Sequence, residues 1–201
     1  TTLFRSMDLF SLTALEICEG QQMDMEFEQR NDVTAEEYLE MIRLKTAVLL
    51  AASLKIGARL GGASVEDADR LYDFGMHIGV AFQLKDDLLD VYGNAKVFGK
   101  NIGGDILCNK KTYMLIKALE HANADQHNQL NSWINAETFQ PAEKIAAVTE
   151  LYDRIGVKAV CENKILEYSN RAMESLAAVS IAEEKKEELK KIIENLIHRE
   201  V

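Results

Sequence analysis

The sequence predicts an all-α protein, and three observations carry that prediction. Residues that interrupt helices are scarce, with one Pro and 11 Gly in 201 residues. Apolar residues recur at three- and four-residue intervals over most of the chain, which is the spacing of one helix face. No segment alternates apolar and polar residues convincingly, as a half-buried strand does. The length fits one domain, 1–201, and is enough to bury a core without covalent or metal staples.

The first helix is expected over residues 3–28, where Leu3, Met7, Phe10, Ala14, Ile17 and Met25 keep the helical spacing. Asn31 and Asp32 break it. Thr34 then reads as an N-cap with Glu37 three residues on, a capping box. That helix is expected to run unbroken to about Leu60 and stop at Gly61-Gly62. Ser64 followed by Asp67 starts another, which runs to Tyr92 and ends at Gly93. Residues 93–110 hold four glycines and no clear period, so they read as a long ordered loop. Helix resumes over about 111–121. A polar stretch around 123–140 holds a short helix. Pro141 suits a first helical position and opens a helix that ends near Gly156. Two more helices are expected over about 157–179 and 182–199. The mixed charges of 183–191 mark a solvated face.

Composition bounds the function. Hydrophobic residues make up 47 % of the chain, which is globular usage. The net charge of −10 argues against nucleic acid, whose phosphates need clustered Lys and Arg. An anionic substrate stays open if metal ions and a few placed lysines accompany it. Cys18, Cys108 and Cys161 are scattered and odd in number, which predicts reduced thiols and a cytoplasmic location. No apolar run approaches the roughly 20 residues of a membrane span. Arg5, Asp8, Glu16 and Glu19 make residues 1–20 unlike a signal peptide.

The chemistry concentrates in residues 82–91, Phe-Gln-Leu-Lys-Asp-Asp-Leu-Leu-Asp-Val. On a helix, Asp86 and Asp90 stack one turn apart, Gln83 precedes Asp86 by nearly a turn, and Asp87 is rotated to the flank. Ile78, Val80, Ala81, Phe82, Leu84, Leu88, Leu89, Val91 and Tyr92 cover most of the same helix, so it is expected to be buried. Three carboxylates in such a place call for pairing, neutralisation or a metal. Mg²⁺ fits, because it takes one or two carboxylates together with waters and substrate phosphate oxygens. The plain alternative is a solvated acidic patch. The apolar surroundings and the basic loop that follows favour the metal. That loop carries Gly99, Gly103 and Gly104 with Lys100, Lys110 and Lys111, and Asp105 offers a further metal contact or a lysine partner. It lacks the spacing of a Walker A loop. Lys45-Thr46 sits amid apolar residues 41–50. Lys45 either snorkels to water or holds an anion in a cavity.

FQLKDDLLD (82–90), FGKNIGGD (98–105) and NKKT (109–112), preceded by GQQMD (20–24) and RLKTAVL (43–49), together resemble the trans-isoprenyl diphosphate synthases, in order and spacing. The resemblance spans nearly the whole chain and implies an isoprenoid-synthase-type helical bundle around a central cavity, usually a homodimer. It implies a prenyltransferase that condenses isopentenyl diphosphate with an allylic diphosphate, head to tail, by Mg²⁺-assisted ionisation. Carried onto this sequence, Asp86, Asp87 and Asp90 form the second Asp-rich motif. Asp86 would be a direct Mg²⁺ ligand, with Asp87, Asp90 and Asp105 acting through water. Lys45, Lys100 and Lys110 would bind diphosphate. Thr46 and Gln83, with Lys45, would serve the ionisation. Gln21, Asp24 and Phe82 would line the cavity.

The family pattern also has a first Asp-rich motif and isopentenyl-diphosphate-binding basic residues upstream of GQxxD, which these 201 residues lack. They are expected to form the C-terminal three-fifths of a synthase, incomplete at the N-terminus and by themselves weakly binding and poorly active. Some Mg²⁺ ligands are then expected on the missing part. Asn109 stands where many members have Gly, with little expected consequence. Tyr38 gives no separate signal. Two other readings are a terpene cyclase of related fold and a non-catalytic or regulatory subunit of a heteromeric synthase.

Overall fold

The computed structural model describes residues 2–93 and 102–198, and no strand occurs among them. The helices are α1 Thr2–Phe27, α2 Ala35–Ile42, α3 Val48–Leu60, α4 Val65–Tyr92, α5 Gly104–Leu107, α6 Tyr113–His121, α7 Ala124–Ile134, α8 Pro141–Ile155, α9 Val157–Ala177 and α10 Glu187–His198. The caps follow the sequence signals. Thr34 Oγ1 accepts from the Glu37 amide at 3.2 Å, and Glu37 Oε2 accepts from the Thr34 amide at 2.9 Å. Ser64 caps α4 through the Asp67 amide at 3.0 Å. Gly156, left-handed with φ 84°, ends α8 and starts α9.

α4 is the axis of the bundle, with α9 and α3 packed most extensively along it. Leu84, Leu88 and Leu89 of α4 are fully buried, as are Met114 of α6, Leu130 of α7 and Leu176 of α9. Each buried leucine of this kind contributes about 1.5–3 kcal/mol of transfer free energy. Three approaches are too close for a side chain on α4 or α1, that of Gly75 to Ala51 among them. A Cβ on Gly79 would lie 2.6 Å from Ala47 Cα, and one on Gly20 would lie 2.5 Å from the Lys45 nitrogen. These contacts set α4 and α1 against the middle of the segment 35–60.

Three expectations need correction. Residues 34–60 are not one regular α-helix: α2 and α3 are joined by a π turn, Arg43–Ala47, whose signature is the Val48 amide bonded to the Arg43 carbonyl five residues back. Propensity does not forecast such a turn, because all five residues tolerate an α-helix. The stretch 93–110 is not all loop, since α5 lies within it, started by left-handed Gly103. The last helix is preceded by a separate 3₁₀ turn, Glu183–Lys185.

Candidate active site

The π turn presents Lys45 and Thr46. It adds a residue to the helix there and so re-aims the side chains, a device often found at functional sites. Lys45 Nζ lies 2.6 Å from Asp24 Oδ2 of α1, an approach that Gly20 one turn earlier permits. Both groups are partly exposed, so the pair adds at most about 1 kcal/mol and its consequence is placement.

Thr46 Oγ1 donates to Gln83 Oε1 of α4 at 3.3 Å, and Gln83 Nε2 donates to Asp87 Oδ1 at 3.1 Å. The other Asp87 oxygen accepts from the Tyr38 hydroxyl of α2. Asp87 is only 3 % exposed, with both oxygens engaged inside the protein. Burial raises its pKa to about 7, against the pull of the Tyr38 bond and of Lys110. The sequence reading grouped Asp87 with the metal-side carboxylates. Its position one residue past Asp86, about 100° around the helix, turns it toward α2 instead. Tyr38 was missed; the only signal for it was an apolar-face aromatic with a polar tip, seven residues before Lys45.

Asp86 and Asp90 are half-buried on the outward side of α4. Asp90 docks the returning chain: its carbonyl accepts from the Gly103 amide at 2.6 Å and its Oδ2 from the Asp105 amide at 2.9 Å. Burial raises the Asp90 pKa despite that bond. Lys110 Nζ lies 3.4 Å from Asp105 Oδ1. Burial would lower the Lys110 pKa, but the fields of Asp105, Asp87 and Asp24 outweigh it and raise it. Lys110 is therefore held charged beside the carboxylates. Lys100 lies outside the described residues.

An open, largely apolar cleft of about 940 Å³ begins at the π turn. Lys45 and Thr46 line it with Leu49, Leu50, Phe74, Ile78 and Phe82, and α10 contributes Leu189, Ile192 and Leu196. Phe74, Ile78, Phe82 and Asp86 are spaced four apart on α4, so the row runs from apolar to acidic over about 18 Å. Phe82 lies on the cleft, whereas Gln21 is exposed on α1 and is not among the cleft's lining residues.

Among the described residues, no three Asp, Glu, His or Cys groups gather in a metal-holding cluster. The donors present are hard carboxylate oxygens, two of them one turn apart. That set fits an ion that takes one or two carboxylates and completes its shell with water and phosphate oxygens, as Mg²⁺ does.

Fold and site define an all-α protein with an apolar cleft that Lys45 and Thr46 border and with an acidic residue, Asp86, one turn beyond its Phe82 wall on α4. The polyprenyl synthetase family model matches residues 2–152. The short chain isoprenyl diphosphate synthase of Methanothermobacter thermautotrophicus is 38 % identical over 188 residues, which are 94 % of this chain and 57 % of that protein. A geranylgeranyl pyrophosphate synthase crystal structure superposes with a TM-score of 0.92 at 38 % identity, covering 100 % of this chain and 62 % of the other. The geranylgeranyl pyrophosphate synthase from Corynebacterium glutamicum, complexed with isoprenyl diphosphate and magnesium, superposes with a TM-score of 0.89 at 30 % identity, covering 98 % and 56 %. The chain belongs to the polyprenyl synthetase family. It spans a little over half the length of the relatives it matches.

Proposed function

We propose that the complete protein is a prenyltransferase that joins isopentenyl diphosphate to an allylic diphosphate, head to tail. The observation that carries this reading is the α4 row from Phe74 to Asp86, apolar along the cleft as far as Phe82 and acidic one helical turn beyond it. An allylic diphosphate has the same polarity, with a hydrocarbon tail and an anionic head. The names of the relatives support the reading: they are isoprenyl and geranylgeranyl diphosphate synthases.

Asp86 would hold Mg²⁺ directly, with Asp90 and Asp105 acting through water. Bound Mg²⁺ supplies charge neutralisation to the diphosphate, which makes it a better leaving group. Lys45, Lys100 and Lys110 bind the diphosphate oxygens. Heterolysis of the allylic C–O bond sends the electron pair to the diphosphate and leaves a delocalised carbocation. The oxygens of Thr46 and Gln83, fixed by their bonds to each other and to Asp87, stabilise that positive charge. The isopentenyl double bond attacks, a C–C bond forms, and one proton leaves. Asp87, buried and doubly bonded, anchors Gln83. Asp24 holds Lys45 in place. Leu49, Leu50 and Phe82 shield the tail from water.

The family resemblance also implies a homodimer. The exposed apolar side chains of α1, among them Met7, Phe10 and Leu15, give a second copy a surface to cover. No described helix is long and apolar enough to cross a membrane.

The test incubates the complete protein with isopentenyl diphosphate and dimethylallyl, geranyl or farnesyl diphosphate, with and without Mg²⁺. Linear products longer by five-carbon units, formed only with Mg²⁺, are expected. Cyclic hydrocarbon or no product overturns the reading.

A further inference from the structure

We propose that Lys144 of α8 is a positioning residue that locks the turn carrying Asp105 and Lys110, through the last carbonyl of α5 and the side chain of Asn109. This rests on the diphosphate reading above and adds to it a residue from outside the five motifs.

The turn has a defined backbone form. Asn109 is the only non-glycine residue with positive φ among those described, at 53°. Its amide bonds the Ile106 carbonyl at 3.2 Å, and the Lys110 amide bonds the Asp105 carbonyl at 3.0 Å. These two bonds are the Schellman pattern that ends a helix, and Asn tolerates its left-handed position better than most residues. The pattern brings Lys110 back over Asp105. It leaves the carbonyl of Leu107 without a helical partner.

Lys144 reaches that carbonyl at 3.5 Å and bonds Asn109 Oδ1 at 2.7 Å. Asn109 Nδ2 in turn donates to the Ile134 carbonyl at the end of α7, at 3.0 Å. The Phe139 ring lies 4.3 Å from Lys144 Nζ. Lys144 is 1 % exposed, and among the described residues no carboxylate pairs with it. A buried ammonium without a counter-ion is costly. Here helix-end and amide dipoles and one aromatic face compensate it. The next residue, Ile145, packs against the other end of α5, where a Cβ on Gly103 would meet its side chain at 2.6 Å. The first turns of α8 therefore grip α5 at both ends. Between the grips lies Asp105, whose amide is on Asp90, and directly after the second grip comes Lys110, whose ammonium is on Asp105. The unbranched stem and terminal charge of Lys144 suit this depth. A neutral side chain of the same length fills the space but leaves the Leu107 carbonyl and Asn109 Oδ1 unbonded.

The experiment measures binding of inorganic pyrophosphate in the presence of Mg²⁺ by titration calorimetry, on the complete protein, with melting followed separately. Lys144→Met is expected to weaken binding by about tenfold, roughly 1.4 kcal/mol. Lys144→Arg, which still donates to both oxygens, is expected to recover most of the loss. Asn109→Gly keeps the left-handed backbone and removes the amide, so it serves if Lys144→Met does not fold. It is expected to weaken binding in the same direction. A lower melting temperature with wild-type affinity in Lys144→Met or Asn109→Gly overturns the proposal, since a merely structural lysine behaves that way. Lys110→Met is the reference. If it weakens binding while Lys144→Met and Asn109→Gly do not, the positioning role fails and the diphosphate reading stands. If Lys110→Met also binds as wild type, the diphosphate reading fails and takes this inference with it.

Discussion

The Tyr38 hydroxyl donates to the buried carboxylate of Asp87, 49 residues away in sequence. The contact joins α2 to α4 beneath the candidate site. It also orders Gln83, which donates to the other Asp87 oxygen. Burial keeps Tyr38 protonated far above the usual phenol range, with the Asp87 charge adding to the effect, so it remains a donor at any working pH.

Tyr38→Phe removes this donor and leaves a buried carboxylate oxygen unsatisfied. The expected loss is about 1–3 kcal/mol of stability. Urea denaturation checks it. Turnover is expected to fall as well, because Asp87, which orders Gln83, is then held by one bond fewer, and steady-state kinetics on the complete protein checks that.

Asp24→Asn separates placement from stability. The Asp24–Lys45 pair is partly exposed, so the melting curve is expected to move by less than about 1 kcal/mol. Diphosphate affinity is expected to fall by more, since Lys45 is no longer held. Calorimetric titration with inorganic pyrophosphate and Mg²⁺ checks it against unchanged unfolding.

Gly79→Ala places a methyl 2.6 Å from Ala47 Cα. Overpacking of this kind costs about 1–3 kcal/mol. The strain falls beside Thr46, so its bond to Gln83 is expected to lengthen. Gly57 provides the contrast, since a Cβ there meets nothing within 4 Å. Gly57→Ala is expected to stabilise by roughly 0.5–1 kcal/mol through helix propensity alone. Thermal denaturation of the two variants checks both signs.

His77 gives a pH signature away from the site. Burial lowers its pKa below the usual 6.5, with the nearby Arg171 charge acting in the same direction and Asp73 and Glu174 opposing. A base with a depressed folded pKa binds its proton more readily when unfolded. Its stability contribution is therefore present above pH 6.5 and lost as pH falls toward the folded value. His77→Gln is expected to lose less stability than wild type between pH 7 and pH 5. Denaturation across that range checks it.

Much of the architecture was legible because it is written in local signals. Thr34 with Glu37, Ser64 with Asp67, and Pro141 each mark a helix start that the structure has. The Asp86–Asp90 pair followed from the helical period of 65–92. The rest depends on tertiary contacts that periodicity does not encode. The π turn arises inside an apolar run that reads as plain helix. The helical period turned Asp87 to the flank, but nothing local indicated that α2 would meet it there with Tyr38. Asn109 was expected to matter little, yet its left-handed backbone and its bonds to Lys144 and Ile134 tie three elements together. Lys144 carried no signal at all, because its hydrogen-bond partners, the Leu107 carbonyl and the Asn109 side chain, are remote in sequence.

The most direct measurement of the central claim is the Mg²⁺-dependent rate of isopentenyl diphosphate incorporation by the complete protein and by its Asp86→Asn variant. The account predicts linear elongation by the wild type only when Mg²⁺ is present. It predicts a fall on the order of 10²–10³ in the variant, the scale of one lost electrostatic contact to a developing charge. Equal rates for the two proteins would contradict it.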